Sequence, residues 1–311
     1  MNPQETYVSV VEPISPAIER VKDVLFRPFD LGRWFVIGFC AWLATLGHRG
    51  GGPNAGFRGQ GSPELHGIRE ALASHPWIPV AITGVVVVAI TIGILLLWLS
   101  SRGKFMFLYC VAENKAEVRH PWHVFRDRAN SLFAFRLVLG ICGVIAIAAF
   151  IGPAVAVYFV HRASLGLSIV AIVALVISGV TVAAILGIIA VFTNDFAVPI
   201  MYLHGQTCRQ AWATLLDVIR GNKLRFLLYL LFQIVISFTI GVIVIAAVCV
   251  TCCIAGLLFM IPYVGTVALL PVIMFRRAYS LCYLAQYGPE YNVFPPEGPQ
   301  TSPAVEPTPT M

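Results

Sequence analysis

Charge is what this sequence holds least of. Only 12% of its residues are Asp, Glu, Lys or Arg, where an average soluble domain has about 25%. The deficit is uneven, since fifty consecutive residues, Phe226 to Phe275, contain none of the four. The usual signatures of catalysis are missing as well. The seven histidines include no His-Glu-x-x-His pair, and no glycine-rich loop leads into Lys-Ser or Lys-Thr, so neither a zinc peptidase nor a P-loop nucleotide site is indicated. Cysteine offers little more. Most of the eight lie inside apolar runs, where a thiol stays protonated and packs as a small hydrophobe. Cys249-Val250-Thr251-Cys252-Cys253 lacks the neighbouring His or further thiolates that a tetrahedral site needs. No metal, cofactor or disulfide framework is expected.

What the chain does have is apolar length. It is 58% hydrophobic, and a bilayer core takes about 20 apolar residues per helix, so the uncharged run of fifty suits two spans. Their turn is legible at Met260-Ile261-Pro262-Tyr263-Val264-Gly265, where proline removes a backbone donor and glycine tolerates a left-handed residue. Stretches long enough to cross lie near 31–48, 77–100, 137–160, 166–192, 226–251 and 264–285. The expected fold class is therefore all-α, a polytopic membrane bundle of about six transmembrane helices. A tail over 1–13 precedes a transmembrane domain over 14–291, and a proline-rich disordered tail follows over 292–311. No basic segment leads into a short apolar stretch at the start, so no cleavable signal peptide is expected. The first span then serves for insertion.

Lys and Arg give the orientation. With these spans, seventeen of the 21 basic residues fall on the side of both termini, leaving Arg49, Arg58, Arg69 and Arg162 opposite. The positive-inside rule puts the termini in the cytoplasm, in a cell membrane. The net charge of +6 then reads as orientation plus attraction to anionic lipid, and nucleic acid is not an expected partner. Outside, seven glycines between Gly47 and Gly61 make a loop, followed by a short surface helix with Ser62 as N-cap and Pro63 at its first position.

A unit recurs on the cytoplasmic side. Residues 15–23, 122–127 and 212–217 each contain an apolar residue five before an Asp, and each leads to a basic-aromatic pair at the membrane: Arg33-Trp34, Phe135-Arg136 and Arg225-Phe226. Ile18, Val21 and Leu25 form one stripe; Trp212, Leu215, Leu216 and Ile219 form another. Such helices lie in the interface plane with basic faces toward headgroups. The expectation is three repeated helix-hairpin units whose amphipathic helices form a cytoplasmic collar.

The stretch Phe26-Arg27-Pro28-Phe29-Asp30-Leu31-Gly32-Arg33-Trp34, with Ile261-Pro262-Tyr263-Val264-Gly265-Thr266, Phe275-Arg276-Arg277-Ala278-Tyr279-Ser280 and Gln286-Tyr287-Gly288-Pro289-Glu290-Tyr291, resembles a family of uncharacterised bacterial six-helix membrane proteins. That family is similar in layout to the membrane domain attached to some glycerophosphodiester phosphodiesterases. The resemblance covers roughly residues 14–291 and implies a membrane fold. It implies no hydrolase activity, because the phosphodiesterase barrel with its acidic metal ligands is absent.

Candidate sites follow from position. Arg33, Arg136 and Arg225 stand where spans one, three and five meet the cytoplasm, and a guanidinium there can pair bidentately with a phosphate. A polar cluster, Asn194, Asp195 and His204, closes the fourth span. Gln233, Ser237, Thr239, Ser178 and Thr181 read as hydrogen-bonding glue between helices, and Gly84, Gly93, Gly140, Gly143, Gly179, Gly187 and Gly241 as close helix contacts. The functional expectation is a non-catalytic membrane-organising or accessory module. Its partners are membrane lipids, with a protein partner open. The alternative is a transporter or channel for a lipid or small uncharged solute.

Overall fold

The computed structural model of the chain describes residues 8–46, 77–160, 165–251 and 261–294. Among these no strand occurs. The outer glycine-rich loop with its short helix, the Cys252-Cys253 pair and the proline-rich tail beyond 294 lie outside the described residues.

Local rules account for the helix ends. Helix α1 is Ile14–Leu25. Asp30 then caps α2 (Leu31–Thr45), accepting from the Gly32 N–H at 2.8 Å. Helix α3 runs from Trp77 to Glu113, the short α4 from Arg119 to Val124 and α5 from Arg126 to Val160. Helix α6 (Leu165–Phe192) passes through a π-helical turn at Thr193–Ala197 into α7 (Val198–His204). Gly205 stops α7 with φ of 69°, a left-handed conformation that glycine takes without strain. Thr207 and Gln210 form a reciprocal capping box at the start of α8 (Cys208–Gly221). Helix α9 is Lys223–Val250, and α10 (Pro262–Ala268) and α11 (Leu270–Ala285) follow.

Four helical stretches among the described residues are long and apolar enough to cross a membrane: Val80–Glu113, Arg126–Phe150, Val173–His204 and Lys223–Val250. Two of the expected six spans are not among them. Helix α2 has 15 residues, about 22 Å at 1.5 Å each and short of a full crossing. The stretch 264–285 is divided at Leu269, with Pro271 in the first turn of α11, where a proline ring cannot continue the preceding helix. Both α2 and α11 bury much of their surface in the protein.

Helix α3 shows how the molecule is layered. Its 37 residues reach about 55 Å, well beyond the roughly 30 Å of hydrocarbon in a bilayer. Val80 to Leu95 are exposed all round, whereas Ser100 to Ala112 are buried all round. Helix α9 repeats the contrast: Phe226, Tyr229, Gln233 and Ile236 form a single buried stripe, and Phe238, Val242, Ile243 and Ile245 stand exposed. The exposed apolar layer is the membrane part; the buried layer is a packed base.

The base is closed by aromatic rings and by one close helix crossing. Phe196, Tyr229 and Tyr283 pack as tilted rings with centroids 4.7 to 6.1 Å apart. Where α2 crosses α3, a Cβ on Gly103 would lie 2.5 Å from the Ala44 nitrogen, so only glycine fits there. The glycines expected to mediate close contacts behave otherwise. Gly84, Gly93, Gly140, Gly179, Gly187 and Gly241 have nothing within 4 Å of where a Cβ would stand, and at Gly143 that position meets Leu186 at an ordinary 3.6 Å. Six of them have open space beside them in the exposed layer, although α5 and α6 meet at Gly143 and Leu186.

The amphipathic helices also differ from expectation. Helix α1 buries Ala17, Val21, Val24 and Leu25, and packs on α11; α8 buries Cys208, Ala211 and Leu215. Their apolar stripes are covered by protein, while Ile18 and Leu216 are exposed. The middle counterpart is only the six-residue α4, so Trp122 and Asp127 fall on different helices. The stretch of chain just before α1 is tied down as well: Gln286 exchanges two hydrogen bonds with the Ser9 backbone, and the Tyr279 hydroxyl donates to the Val10 carbonyl.

Candidate functional site

Charged side chains meet where the apolar layer joins the base. Lys104 lies on the buried half of α3 and is 7% exposed; its ammonium donates to Asn194 Oδ1. Asn194 and Asp195 belong to the π-helical turn, a distortion that turns extra backbone and side chains toward a site. From α11, Arg277 Nη1 donates to the Asn194 carbonyl. The Tyr229 hydroxyl on α9 donates to Asp195 Oδ2 at 3.0 Å and accepts from Gln233 Nε2 at 2.7 Å. Three side-chain atoms of this cluster are enclosed without a hydrogen-bond partner among the described residues: Arg277 Nε, Arg277 Nη2 and Gln233 Oε1.

The charges do not cancel. A cavity of about 290 Å³ is lined by Lys104, Arg276, Arg277, Asp195, Asn194 and Gln233, with Thr45 and Ile273 among its apolar and neutral walls. A second of about 240 Å³ lies against Lys104 and Arg136. Around the shared Lys104 stand three arginines and one carboxylate, and no salt bridge joins Asp195 to any of them among the described residues. Arg276 is exposed, but enclosing Lys104 and the Nε and Nη2 atoms of Arg277 without an ion pair is costly, so this arrangement favours an anion.

The sequence-predicted residues are placed as follows. Arg136 faces the second cavity and donates to Ser100 Oγ at 3.2 Å and Ser101 Oγ at 3.1 Å. Arg33 donates to both the carbonyl and the side-chain oxygen of Asn114, each at 2.8 Å. Arg225 donates to Asn222 at 3.3 Å, and its carbonyl accepts from Tyr283. The three arginines thus stand at separate places with protein partners. Asn194 and Asp195 are at the centre of the cluster, but the helix continues through them. His204 contacts the Ile200 carbonyl and the Tyr291 ring and is not joined to Asp195.

Of the residues expected to bond between helices, Gln233 enters the cluster and Ser237 lines a groove between α6 and α9. Ser178, Thr181 and Thr239 donate to Leu175, Ile177 and Val235 on their own helices, the back-bonding open to any hydroxyl in a helix. Sequence reasoning does not find Lys104, Tyr229, Arg276 and Arg277. Lys104 reads as a loop residue once a span ends near 100; the signal for it is the uninterrupted helical composition beyond Trp98. Nearby, Arg102 lies over the rings of Trp98 and Trp122 at 4.3 and 4.7 Å, so its charge is held by cation–π contact. Burial pushes the Cys208 thiol up to about 12, leaving it protonated. No group of three or more His, Cys, Asp or Glu among the described residues is placed to hold a metal.

A family of unknown function, DUF7544, matches residues 8–286. The chain belongs to this family. The DUF7544 match spans α1 through α11 and so takes in the whole cationic cluster. No match was found among curated proteins or solved structures.

Proposed function

We propose that this multi-pass membrane protein is a non-catalytic organising or accessory module that engages anionic lipid from the cytoplasmic leaflet. The observation that carries the reading is the excess of cations around Lys104 at the level where exposed apolar helices give way to the packed base. An anionic headgroup meets its apolar tails at that same level of a bilayer. Arg33, Arg136 and Arg225 belong to the proposal as headgroup contacts, Arg136 beside Lys104 at the second cavity and the other two apart from it, adding attraction to the leaflet.

The test is retention of lipid by the purified chain under native mass spectrometry. Phosphatidylglycerol should be held in preference to phosphatidylcholine of the same chain length, and equal retention rejects the reading. Substituting Lys for Arg33, Arg136 and Arg225 together keeps the charge but removes the planar fork, and should lower retention modestly. Orientation in the cell membrane has its own test. An impermeant thiol reagent applied to intact cells should label Gly56→Cys and leave Lys115→Cys unreacted, in a cysteine-free background.

A second reading is movement of a lipid across the membrane. It draws on the apolar groove of about 570 Å³ between α6 and α9 that includes Gln233 and Arg276. Reconstituted protein that moves labelled lipid between leaflets of a vesicle would favour it over the accessory role.

A further inference from the structure

Three unsatisfied atoms at the cationic cavity specify more than charge. Tyr229 has one hydroxyl proton, and it is given to Asp195; Tyr229 must therefore accept from the Gln233 amide nitrogen. That fixes the orientation of the Gln233 amide and leaves its Oε1 as a buried acceptor with no donor. Gln233 is only 7% exposed, and a buried acceptor left unmade loses affinity or stability. Arg277 contributes the opposite need, two enclosed donors, Nε and Nη2, on a side chain that also lines the cavity. An anion alone satisfies the arginine. A ligand that is an anion and also carries a hydroxyl satisfies both.

The cavity is not isolated. Gln233 and Arg276 line it and also line the groove between α6 and α9, whose other walls include Gly187, Ile188, Leu231 and Ile234. Polar surface at one end and apolar surface at the other match a headgroup and a hydrocarbon chain. The cavity's 290 Å³ is far above the about 15 Å³ that one water needs.

We propose that the Lys104–Arg277–Gln233 cavity and the adjoining α6–α9 groove bind one anionic phospholipid with a hydroxylated headgroup, of the phosphatidylglycerol class. The phosphate lies against Lys104 and Arg277, a headgroup hydroxyl donates to Gln233 Oε1, and an acyl chain occupies the groove. This rests on the lipid reading above and gives it a site and a lipid class.

The experiment presents the delipidated full chain with phosphatidylglycerol, phosphatidylpropanol and phosphatidylcholine of identical acyl chains and reads retention by native mass spectrometry. The first two share charge and phosphodiester and differ only in the headgroup hydroxyls. Phosphatidylglycerol should be retained about tenfold better than phosphatidylpropanol, the size of one buried hydrogen bond left unmade. Gln233→Met should remove that difference while both anionic lipids still exceed phosphatidylcholine. Gly187→Leu, at a position with open space around it, should fill the groove and weaken both anionic lipids.

Equal retention of phosphatidylglycerol and phosphatidylpropanol by the unaltered chain overturns the hydroxyl assignment and leaves the broader lipid reading standing. No preference of either over phosphatidylcholine removes both. If soluble glycerol phosphate displaces the lipid at equal concentration and Gly187→Leu has no effect, the ligand is a free polyol phosphate and the lipid assignment is wrong. The first comparison needs no variant, so it decides the matter even if a substituted chain fails to fold.

Discussion

The two halves of α3 face opposite environments. From Val80 to Leu95 every side chain is apolar or small and none is covered; from Ser100 to Ala112 every side chain is covered, including Arg102 and Lys104. In water the first half would be an aggregation hazard and the second an expensive burial. Both make sense if the first half is solvated by lipid and the second is solvated by protein and a bound anion. Polar groups are brought inside where the helices pack, and apolar groups are left outside where they do not.

Substitutions of one kind in the two layers should therefore have unequal effects. The largest difference is expected for glycine. Gly103→Leu forces a side chain into the backbone of Leu43 and Ala44, and overpacking against a backbone that cannot yield costs about 3 kcal/mol. Thermal unfolding in detergent should show a large fall in the midpoint or loss of monodisperse protein. Gly84→Leu, with open space around it, should leave the midpoint unchanged. A comparable fall in both would remove the distinction between the layers.

Hydroxyls sharpen the same contrast at smaller size. Tyr229→Phe removes the donor to Asp195 and the acceptor for Gln233, and should cost about 1–3 kcal/mol. Thr181→Val loses only a bond to its own helix at Ile177, so its change should stay within about 0.5 kcal/mol. Unfolding midpoints of the two variants, measured side by side, check the difference. Lys104→Met is expected to have the least effect on the lipid-free protein, because it relieves repulsion from Arg136 and Arg277 as well as losing the bond to Asn194. Its effect should appear on adding anionic lipid, as a smaller rise in the unfolding midpoint.

The apolar layer was legible in the sequence because lipid imposes a simple rule on composition; the part of the uncharged run up to Val250 follows it, whereas the part after Pro262 is equally apolar and does not form a span. The base was less legible. Helix α11 resembles a span in its apolar content, but Pro271 and the aromatic face of Tyr279 and Tyr283 assign it to the packed layer. The site was half visible. Asn194, Asp195, Arg136 and Gln233 stood out as polar residues beside apolar runs, yet nothing local says that the π-helical turn and α11 bring them to Lys104 and Arg277. That convergence depends on contacts between residues about 90 positions apart.

The most direct test of the central claim is the thermal stability of the chain in phosphatidylcholine nanodiscs with increasing phosphatidylglycerol. A ligand that binds only the folded protein raises the midpoint with concentration. The unaltered chain should show this rise, and the Lys104→Met, Arg277→Gln double variant should show little or none. A rise of equal size in both would place the lipid elsewhere and contradict the cationic cavity as its site.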